Sequence, residues 1–393
     1  MSGRPLKVLH IIHSFGVGGA ETWLMELLRL WSKTGNRRID FLATSGNRGV
    51  FDDEARQLGA DIYYVRYDRD HLARFAREFR RILREGQYDA LHDHSDYASG
   101  WHFLIGSGAL PAVRVAHVHN PWSHIEANYA VSLSRKFATT VGKWLVHILA
   151  THVCGTSGEI LRQYGFYSRE SHRPAVSVTH CGFDIRKFNA PREHDRQSVL
   201  DEFGWPTDSK LVLFAGRLDR ALEFDHPQNH KNSWLALNVM RAAFEKDSSV
   251  RLLMAGAGAS RTELDLHVRR WGLQQQLRLI GVRNDIPRLM RAADVLFFPS
   301  RQEGLGMVAV EAQAACLPVL ASTAVPRECV VIPELYEALP LREPIELWAN
   351  ALLRTMAKPR PSLEFCRRAL ESSPFSILNS ARYLEEIYCG CRP

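Results

Sequence analysis

The sequence contains no long hydrophobic run. None of its apolar stretches approaches the roughly 20 residues that a membrane-spanning helix needs. The first residues, MSGRPLKVLHIIHSF, also lack the apolar segment and the small-residue cleavage site of a signal peptide. We therefore expect a cytoplasmic protein.

The sequence contains only seven cysteines, which is an odd number. The seven cysteines are scattered through apolar surroundings rather than grouped at regular spacings. A disulfide framework needs pairs, and a cytoplasmic protein keeps its thiols reduced. The cysteines at 154, 181, 316, 329 and 366 are therefore expected to be reduced thiols in the core.

Motifs that bind nucleic acid are also missing. The formal net charge of +7 favours anionic partners in general. However, the chain has no basic cluster interleaved with aromatic residues and no known DNA- or RNA-binding motif. Nucleoside diphosphates and anionic lipids remain as candidate partners, and nucleic acid is not expected.

The pattern of elements predicts an α/β protein of two domains. At 393 residues the chain is long for a single core. Short apolar runs alternate with helical segments, which is typical of parallel sheets covered by helices on both faces. The predicted strands are 7–13, 39–44, 62–65, 90–92, 113–118, 152–154, 176–179, 211–215, 250–255, 277–280 and 295–298.

The stretch 294–315, DVLFFPSRQEGLGMVAVEAQAA, has the strongest functional signal. A buried strand is followed by a turn and then, from Leu305, by helical periodicity. Gly304 and Gly306 let a phosphate approach the first N–H groups of that helix. Glu303 and Glu311 flank the turn, and carboxylates accept hydrogen bonds from paired hydroxyls. This spacing indicates a nucleotide sugar, although two glutamates on a solvated surface are the plain alternative.

Two other glycine pairs invite a dinucleotide interpretation. Gly18 and Gly19 follow the first strand, but Glu21 occupies the third glycine position of the dinucleotide fingerprint. The pair at 256 and 258 fails likewise, because Arg261 stands in the third place. We therefore favour a phosphate or sugar cradle at Gly18 and Gly19, with a ligand-free tight turn as the alternative.

Two cations and a group of histidines complete the candidate residues. Arg217 follows the predicted strand 211–215, and Lys231 precedes a helix, so both can meet a diphosphate. As isolated residues they would simply be solvated. The histidines at 92, 94, 117 and 119 raise the question of a metal site. They come from separate strand ends and no Asp or Glu completes a known ligand set, so no metal is expected.

With these residues in place, the chain resembles a known family. The segment 294–315, with VEAQAACLPVLAS, resembles the E-x7-E motif of retaining glycosyltransferases of family GT4, and is most similar to the EpsF-like branch of bacterial polysaccharide biosynthesis. The resemblance implies the GT-B fold, with two Rossmann-like domains facing each other across a cleft. The implied domains are 1–190 for the acceptor and 191–375 for the nucleotide sugar, with 191–198 as linker and 376–393 crossing back to the first.

The resemblance also implies roles for individual residues. The implied catalytic residues are His119, Arg217, Lys231 and Glu303. The implied substrate-binding residues are Gly18, Gly19, Val282, Arg283, Gly304, Leu305, Gly306, Met307 and Glu311. The choice between His119 and His117 stays open, as does a side-chain or backbone role for Arg283. The loop before Lys231, LDRALEFDHPQNH, is longer than the family's, and Cys181 replaces the family's usual Asn.

The expected reaction is transfer of a sugar from a nucleotide-diphosphate sugar, most simply a UDP-sugar, to a glycan or lipid-linked acceptor, with retention and without cofactor. A catalytically silent binding protein and a nucleotide-sugar epimerase are the alternatives. Two basic helices, 71–84 and 134–148, leave a further question open. Each suits either an anionic membrane, on the inner face of the plasma membrane, or an ordinary position packed on the sheet.

Overall fold

The structure is a computed structural model that describes residues 4–16, 18–166, 174–220, 226 and 228–390. The chain folds into two compact units, each with its own core. Unit 1 is formed by residues 1–183 and 374–393, and unit 2 by residues 184–373.

Unit 1 is built on a seven-stranded parallel sheet of order β3-β2-β1-β4-β5-β6-β7. Its strands are β1 (Leu6–Ile12), β2 (Arg37–Ala43), β3 (Ile62–Tyr64), β4 (Ala90–Asp93), β5 (Val113–Val118), β6 (His152–Gly155) and β7 (Ala175–Val178). Its first seven helices are α1 (Gly19–Ser32), α2 (Asp52–Gln57), α3 (Leu72–Gly86), α4 (Ala98–Gly106), α5 (Trp122–Asn128), α6 (Leu133–Leu149) and α7 (Gly158–Gln163). Its core joins Leu9 and Ile11 of β1 with Phe75 and Phe79 of α3.

Unit 2 repeats this plan with a six-stranded parallel sheet of order β10-β9-β8-β11-β12-β13. Its strands are β8 (Lys210–Ala215), β9 (Val250–Ala255), β10 (Leu277–Gly281), β11 (Val295–Phe298), β12 (Val319–Ser322) and β13 (Tyr336–Leu339). Its helices are α8 (Glu193–Phe203), α9 (Ser233–Lys246), α10 (Arg261–Arg270), α11 (Ile286–Ala292), α12 (Met307–Ala314), α13 (Ile345–Met356) and α14 (Leu363–Ser372). Short 3-10 turns lie at 185–187, 327–329 and 333–335.

The last helix, α15 (Ile377–Tyr388), belongs to unit 1 and packs on α1. Trp23 donates its indole N–H to the hydroxyl of Ser380 at 3.0 Å. Trp31 donates to Glu385 at 2.9 Å, and the same carboxylate pairs with Arg37. These polar contacts hold α15 in a fixed position against α1 and β2.

The predicted α/β fold with two Rossmann-like domains is confirmed. All eleven predicted strands occur within about two residues of their expected bounds. Sequence reasoning missed β12 and β13, which are only four residues long. The linker prediction is wrong in its local structure, because residues 193–203 form helix α8. Arg192 and Arg196 tie this segment to Asp294 of the same unit, with N···O distances of 2.9 Å to its two carboxylate oxygens.

Among the described helices, none combines the length and the apolar character that crossing a membrane requires.

Candidate functional site

The candidate residues of unit 2 follow the two strands where the order of the sheet reverses. β8 and β11 lie side by side, although β9 and β10 separate them in the sequence. In open parallel sheets, ligands bind at the carboxyl ends of strands beside such a reversal. Arg217 comes two residues after β8, and Glu303 lies in the turn after β11. The topology thus brings these two sequence-predicted residues to the same edge of the sheet.

Lys231 and Glu303 form an ion pair at this edge. The ammonium nitrogen lies 2.5 Å from Oε1 of the carboxylate, and the two side chains are 23% and 10% exposed. The nitrogen also lies 5.3 Å from the ring centroid of Phe298, the last residue of β11. A Cβ added to Gly216 would lie 3.3 Å from Cδ of Lys231, so the lysine stem runs beside the backbone that leads to Arg217. The exposed Arg217 has no ion-pair partner among the described residues.

Asp219 holds the lysine loop, and sequence reasoning missed it. Its buried carboxylate accepts the backbone N–H groups of Lys231 at 2.7 Å and Asn232 at 2.9 Å. Burial raises the pKa of Asp219 to about 6, against the lowering effect of these N–H donors and of the nearby Arg217. Asn232 adopts a left-handed conformation, φ 56°, where α9 begins. The signal available in the sequence was an Asp two residues after the candidate Arg217.

The glycines at 256 and 258 have a packing role. A Cβ on Gly256 would lie 1.8 Å from the carbonyl oxygen of Gly216, and one on Gly258 would lie 1.6 Å from that of Leu218. The backbone after β9 therefore runs directly against the loop that carries Arg217 and Asp219. Residues 221–225 and 227 of the long loop before Lys231 lie outside the described residues.

The turn that carries Glu303 leads into a helix, α12, as predicted. Gly306 has φ 94°, a left-handed conformation that glycine adopts without strain, and it is the N-cap of α12. The helix starts at Met307, two residues later than the predicted Leu305. Gly306 has no side chain that could cap α12. Within the described residues, the first N–H groups of the helix therefore have no capping side chain. Gly304 and Leu305 lie in the turn itself.

Glu311 projects from α12 as a half-buried carboxyl group. Desolvation raises its pKa to about 7. No hydrogen bond or ion pair to its side chain occurs within the described parts of the chain. Such a carboxyl group can accept hydrogen bonds from a ligand without first breaking one inside the protein.

The turn after β10 presents backbone and an exposed valine. Val282 is 63% exposed. The guanidinium of Arg283 pairs with Asp285 at 2.7 Å and with Glu202 at 2.9 Å. Both carboxylates fix its edge, and the flat faces of the group carry no such bond. The ion pairs restrict the side chain of Arg283 but leave its flat faces unbonded, so the choice between a side-chain and a backbone role stays open.

In unit 1, Gly18 and Gly19 lie where β1 passes into α1. Gly18 is the N-cap of α1 and accepts the N–H of Thr22 at 2.9 Å. A Cβ on Gly18 would meet the carboxylate of Glu21 at 2.3 Å, whereas a Cβ on Gly19 would meet no atom of the described residues within 4 Å. The space at Gly19 is thus available to a ligand.

The candidate histidines of unit 1 lie at, or one strand away from, the point where the order of its sheet reverses, between β1 and β4. His10 on β1, which the sequence analysis did not single out, joins the four histidines of β4 and β5 and the turns after them. Ring nitrogens of His10, His92 and His94 lie within 4.8 Å of one another, as do those of His94, His117 and His119. His117 is fully buried and His119 is half-buried. His119 is therefore the more accessible of the two alternatives.

The backbone of His119 is fixed by Asp96, another residue that sequence reasoning missed. The carboxylate accepts the N–H of His119 at 2.7 Å and the side-chain amide of Asn120 at 2.7 Å. Asp96 is buried with φ 52°, and desolvation raises its pKa to about 6. Burial lowers the pKa of His119 to about 4, so the ring is neutral at physiological pH.

The chain is similar to glycosyltransferases over nearly its whole length. Residues 17–195 match the family model Glycosyltransferase Family 4, and residues 195–369 match the model Glycosyl transferases group 1. The glycosyltransferase EpsF of Bacillus subtilis (strain 168) is 29% identical over 392 residues, which cover 99% of this chain and 97% of EpsF. The capsular polysaccharide biosynthesis glycosyltransferase CapH of Staphylococcus aureus is 24% identical over 316 residues, 78% of each chain.

A solved structure shares the fold. The crystal structure of Anabaena HepE in complex with UDP superposes with a TM-score of 0.75 at 18% identity, covering 98% of this chain and all of HepE. The two parallel sheets and the two family models, which match adjoining parts of the chain, lead to one assignment. The chain belongs to the GT4-type glycosyltransferases, has the GT-B fold and is similar to EpsF.

Proposed function

We propose that this glycosyltransferase moves a sugar from a nucleoside diphosphate sugar to a glycan or lipid-linked acceptor in polysaccharide biosynthesis, with retention of anomeric configuration. The observation that carries the proposal is the Lys231–Glu303 ion pair beside Arg217, where the sheet of unit 2 reverses. Support for the donor class comes from HepE, whose complexes contain UDP and UDP-glucose. Support for the pathway comes from the similarity to CapH.

Donor binding would exchange partners within the ion pair. A diphosphate carries negative charge that Lys231 and Arg217 can neutralise, together with the positive end of α12. Once Lys231 turns to the diphosphate, the carboxylate of Glu303 loses its cation. A 10% exposed carboxylate needs new donors, and the hydroxyl groups of a donor sugar supply them. Glu311 would hold the ribose hydroxyls in the same way.

The chemical step separates charge. Breaking the anomeric C–O bond leaves the electron pair on the diphosphate oxygen and oxocarbenium character on the sugar. Arg217 and Lys231 stabilise the leaving group, and Glu303 stabilises the cationic sugar from a short distance. The acceptor oxygen then bonds to the anomeric carbon on the face that the diphosphate leaves, and its proton passes to the leaving phosphate. His119 of unit 1 is proposed as a contact to a substrate hydroxyl.

The donor test uses thermal shift against a panel of nucleotide sugars, with UDP, GDP and dTDP alone as references. A ligand that binds the folded state raises the melting temperature. Glu311→Ala should abolish most of the shift. Arg217→Ala should leave measurable binding but lower the rate of slow donor hydrolysis, whereas Arg269→Ala, which breaks only an exposed pair with Asp265, should change neither. The proposal fails if both site variants behave like wild type.

The same experiment separates the rival activities. A binding protein without catalytic activity would give a thermal shift but no free sugar and no nucleoside diphosphate. An epimerase would convert UDP-N-acetylglucosamine to its 2-epimer. Release of sugar and nucleoside diphosphate without epimer supports transfer.

We also propose that unit 1 meets an anionic membrane through α6. Four large apolar side chains share one face of this helix and are exposed: Leu133 by 86%, Phe137 by 68%, Trp144 by 58% and Ile148 by 54%. Lys136 and Lys143 flank that face. In contrast, Phe75, Phe79, Ile82 and Leu83 of α3 are buried in the core, so the apolar stripe of α3 is occupied within the protein.

Liposome co-sedimentation tests this surface. Wild type should pellet with vesicles containing phosphatidylglycerol and much less with phosphatidylcholine alone. The double variant Phe137→Ser/Trp144→Ser should stay in the supernatant, and Leu72→Ser, at a 45% exposed position of α3, should behave as wild type. Equal pelleting with both lipids would contradict the proposal. A lipid-free dimer that the double variant dissociates would instead assign the face to a second copy of the chain.

A further inference from the structure

A continuous chain of hydrogen bonds runs through five histidines of unit 1 and Tyr388, the last residue of α15. It connects five imidazoles and one phenol, all of them buried or half-buried. In order, the groups are His117, His92, Tyr388, His10, His94 and His119.

Each link is specified by atoms. His117 Nδ1 and His92 Nε2 are 3.1 Å apart, and His92 Nδ1 lies 2.5 Å from the hydroxyl of Tyr388. That hydroxyl is 3.4 Å from His10 Nε2. His10 Nδ1 then lies 3.0 Å from His94 Nε2, and His94 Nδ1 lies 2.9 Å from His119 Nε2. Both nitrogens of His92, His10 and His94 are therefore used within the chain.

All six groups of this hydrogen-bond chain are neutral at physiological pH. Burial lowers the pKa of His10 to about 3 and that of His119 to about 4, and it lowers those of the other three imidazoles well below the usual value. After burial, the neighbours that lower these values are mainly other imidazoles. Burial also raises the pKa of Tyr388, which keeps its proton. A neutral imidazole has one N–H and one acceptor nitrogen.

The two contacts of Tyr388 give the chain a direction. Hydroxyl donors make shorter hydrogen bonds, roughly 2.5–3.0 Å to oxygen acceptors, than N–H donors, which rarely come closer than about 2.7 Å to an oxygen. The 2.5 Å contact therefore has Tyr388 donating its proton to His92 Nδ1. Because the phenol has a single proton, it accepts at the longer contact, and His10 carries its proton on Nε2.

The remaining protons follow from one N–H per ring. His10 Nδ1 is unprotonated and accepts from His94 Nε2. His94 Nδ1 is then unprotonated and accepts from His119 Nε2. His119 is left with an unprotonated Nδ1, which has no hydrogen-bond partner among the residues that the structure describes.

We propose that Tyr388 is a positioning residue, which acts through His10 and His94 to hold His119 in the Nε2–H tautomer. In that tautomer Nδ1 of His119 accepts a hydrogen bond from a substrate hydroxyl. The assignment of a substrate contact to His119 rests on the proposed function, whereas the tautomer follows from the chain of bonds alone. The tyrosine belongs to α15 and lies 296 residues after its partner His92 in the sequence, so no local pattern indicates it.

The ring geometry favours this chain over a metal site. Imidazoles that bind one ion direct their ring planes towards a common point about 2.0–2.1 Å from each nitrogen. His117 and His119 instead stack, with centroids 4.1 Å apart and planes 24° apart. His92 and His94 stack in the same manner at 4.3 Å and 21°.

The test reads the tautomer by nuclear magnetic resonance. Two-bond 1H–15N spectra of the full chain labelled with [15N]histidine distinguish protonated from unprotonated ring nitrogens, and His119→Gln identifies the resonances of His119. At pH 7, wild-type His119 should be the Nε2–H tautomer. Tyr388→Phe, which removes only the hydroxyl, should give a mixture of tautomers. Tyr164→Phe is the matched control, because Tyr164 is buried and its hydroxyl has no partner among the described residues.

Each outcome decides one claim. The proposed hydrogen-bond chain is wrong if His119 in the wild type is charged or carries its proton on Nδ1. It is also wrong if Tyr388→Phe gives the same spectrum as the wild type. If the variant does not fold, the wild-type spectrum alone decides. Equimolar Zn2+ that binds and shifts the five histidines together also overturns it, in favour of a metal site.

Turnover separates the positioning role from the proposed function. With an active donor, Tyr388→Phe should lower kcat about tenfold, which corresponds to the loss of about one hydrogen bond, with little change in KM for the donor. If Tyr388→Phe changes the tautomer of His119 but not kcat, only the positioning role of Tyr388 in catalysis is wrong. If wild type turns over no nucleotide sugar, the proposed function fails while the spectra still decide the tautomer.

Discussion

The ammonium of Lys231 lies 2.5 Å from a carboxylate oxygen of Glu303, and these two residues are 72 positions apart in the sequence. The sequence assigns them to different parts of the substrate, the lysine to the diphosphate and the glutamate to the sugar. In the structure they neutralise each other. In the proposed reaction, the ion pair is therefore the resting arrangement that a donor has to rearrange.

A double-mutant cycle measures this pair without any substrate. Lys231→Met and Glu303→Gln should show a coupling in the free energy of unfolding of about 1–2 kcal/mol, because both side chains are largely shielded from water. The exposed pair Lys246–Glu346, 2.8 Å apart, is the control and should couple by less than about 1 kcal/mol. Equal couplings would contradict the account.

The same lysine should matter more for turnover than for stability. Lys231→Met removes the cation that we propose stabilises charge developing on the leaving group, so kcat should fall by about 10²–10³-fold. Rates of donor hydrolysis measured at saturating donor provide the test. A fall confined to KM would mean that Lys231 binds the ground state only.

Donor affinity should depend on the ionisation of Glu311. Burial raises its pKa to about 7, and ribose hydroxyls donate to the carboxylate form. Affinity should therefore rise as the pH increases from 6 to 8, measured by calorimetry with UDP. Glu311→Gln should bind more weakly and lose this part of the pH dependence, and the difference between the two proteins removes the titration of the nucleotide itself. A parallel pH dependence in both proteins would exclude Glu311 as the source.

Asp219 should support the fold and the site together. Asp219→Ala leaves the buried N–H groups of Lys231 and Asn232 without their acceptor, which should cost about 2–3 kcal/mol in the free energy of unfolding. Asp219→Asn keeps an acceptor oxygen and should lose less. Urea unfolding curves give the comparison, and equal losses in the two variants would mean that the charge matters rather than the acceptor.

Gly19 provides a test of ligand approach at α1. A Cβ there meets no atom within 4 Å in the part of the chain that the structure describes, so Gly19→Ala should leave the melting temperature unchanged or raise it slightly. If a substrate group approaches this backbone, the same variant should raise KM for the donor or the acceptor. A variant with unchanged stability and unchanged kinetics would mean that the space at Gly19 is simply solvent.

The histidine chain predicts how stability depends on pH. Five imidazoles have pKa values lowered by burial, whereas the unfolded chain titrates them near 6.5. The unfolded state therefore binds more protons between about pH 4 and 6.5, so the free energy of unfolding falls as the pH falls through this window. Four carboxyl groups have raised pKa values, namely Glu21, Asp96, Asp219 and Glu311; they act in the opposite direction but are fewer.

Unfolding curves at pH 7.5, 6.5 and 5.5 test this statement. The slope should correspond to uptake of more than one proton at the acidic end, and it should shrink when His92, fully buried, is replaced by Phe or Leu in a variant that still folds. A flat profile would contradict neutral burial of the cluster.

Much of the fold could be predicted because each strand is a short apolar run between turn residues, as in 113–118 and 295–298. β13 could not, since YEAL is neither continuous nor alternating in apolar character and lies at the edge of its sheet. The glutamate turn could be predicted because strand, glycines and helix are contiguous in the sequence.

The supporting residues could not be predicted in the same way. Asp219 acts on Lys231 across twelve residues of loop, and Tyr388 reaches His92 across most of the chain. Their roles come from tertiary contacts that leave no local pattern. The reversal points of the two sheets, where the candidate residues lie, are properties of strand order and could be expected only once the family was recognised.

The configuration of the released sugar tests the central claim most directly. Wild-type protein is incubated with the nucleotide sugar that gives the largest thermal shift, and proton magnetic resonance follows the anomeric signal of the first sugar formed by hydrolysis or by transfer. The account predicts an anomer of the same configuration as the donor, formed together with nucleoside diphosphate and lost in Arg217→Ala. An inverted anomer would contradict retention, and no nucleoside diphosphate from any donor of the panel would contradict the proposed reaction itself.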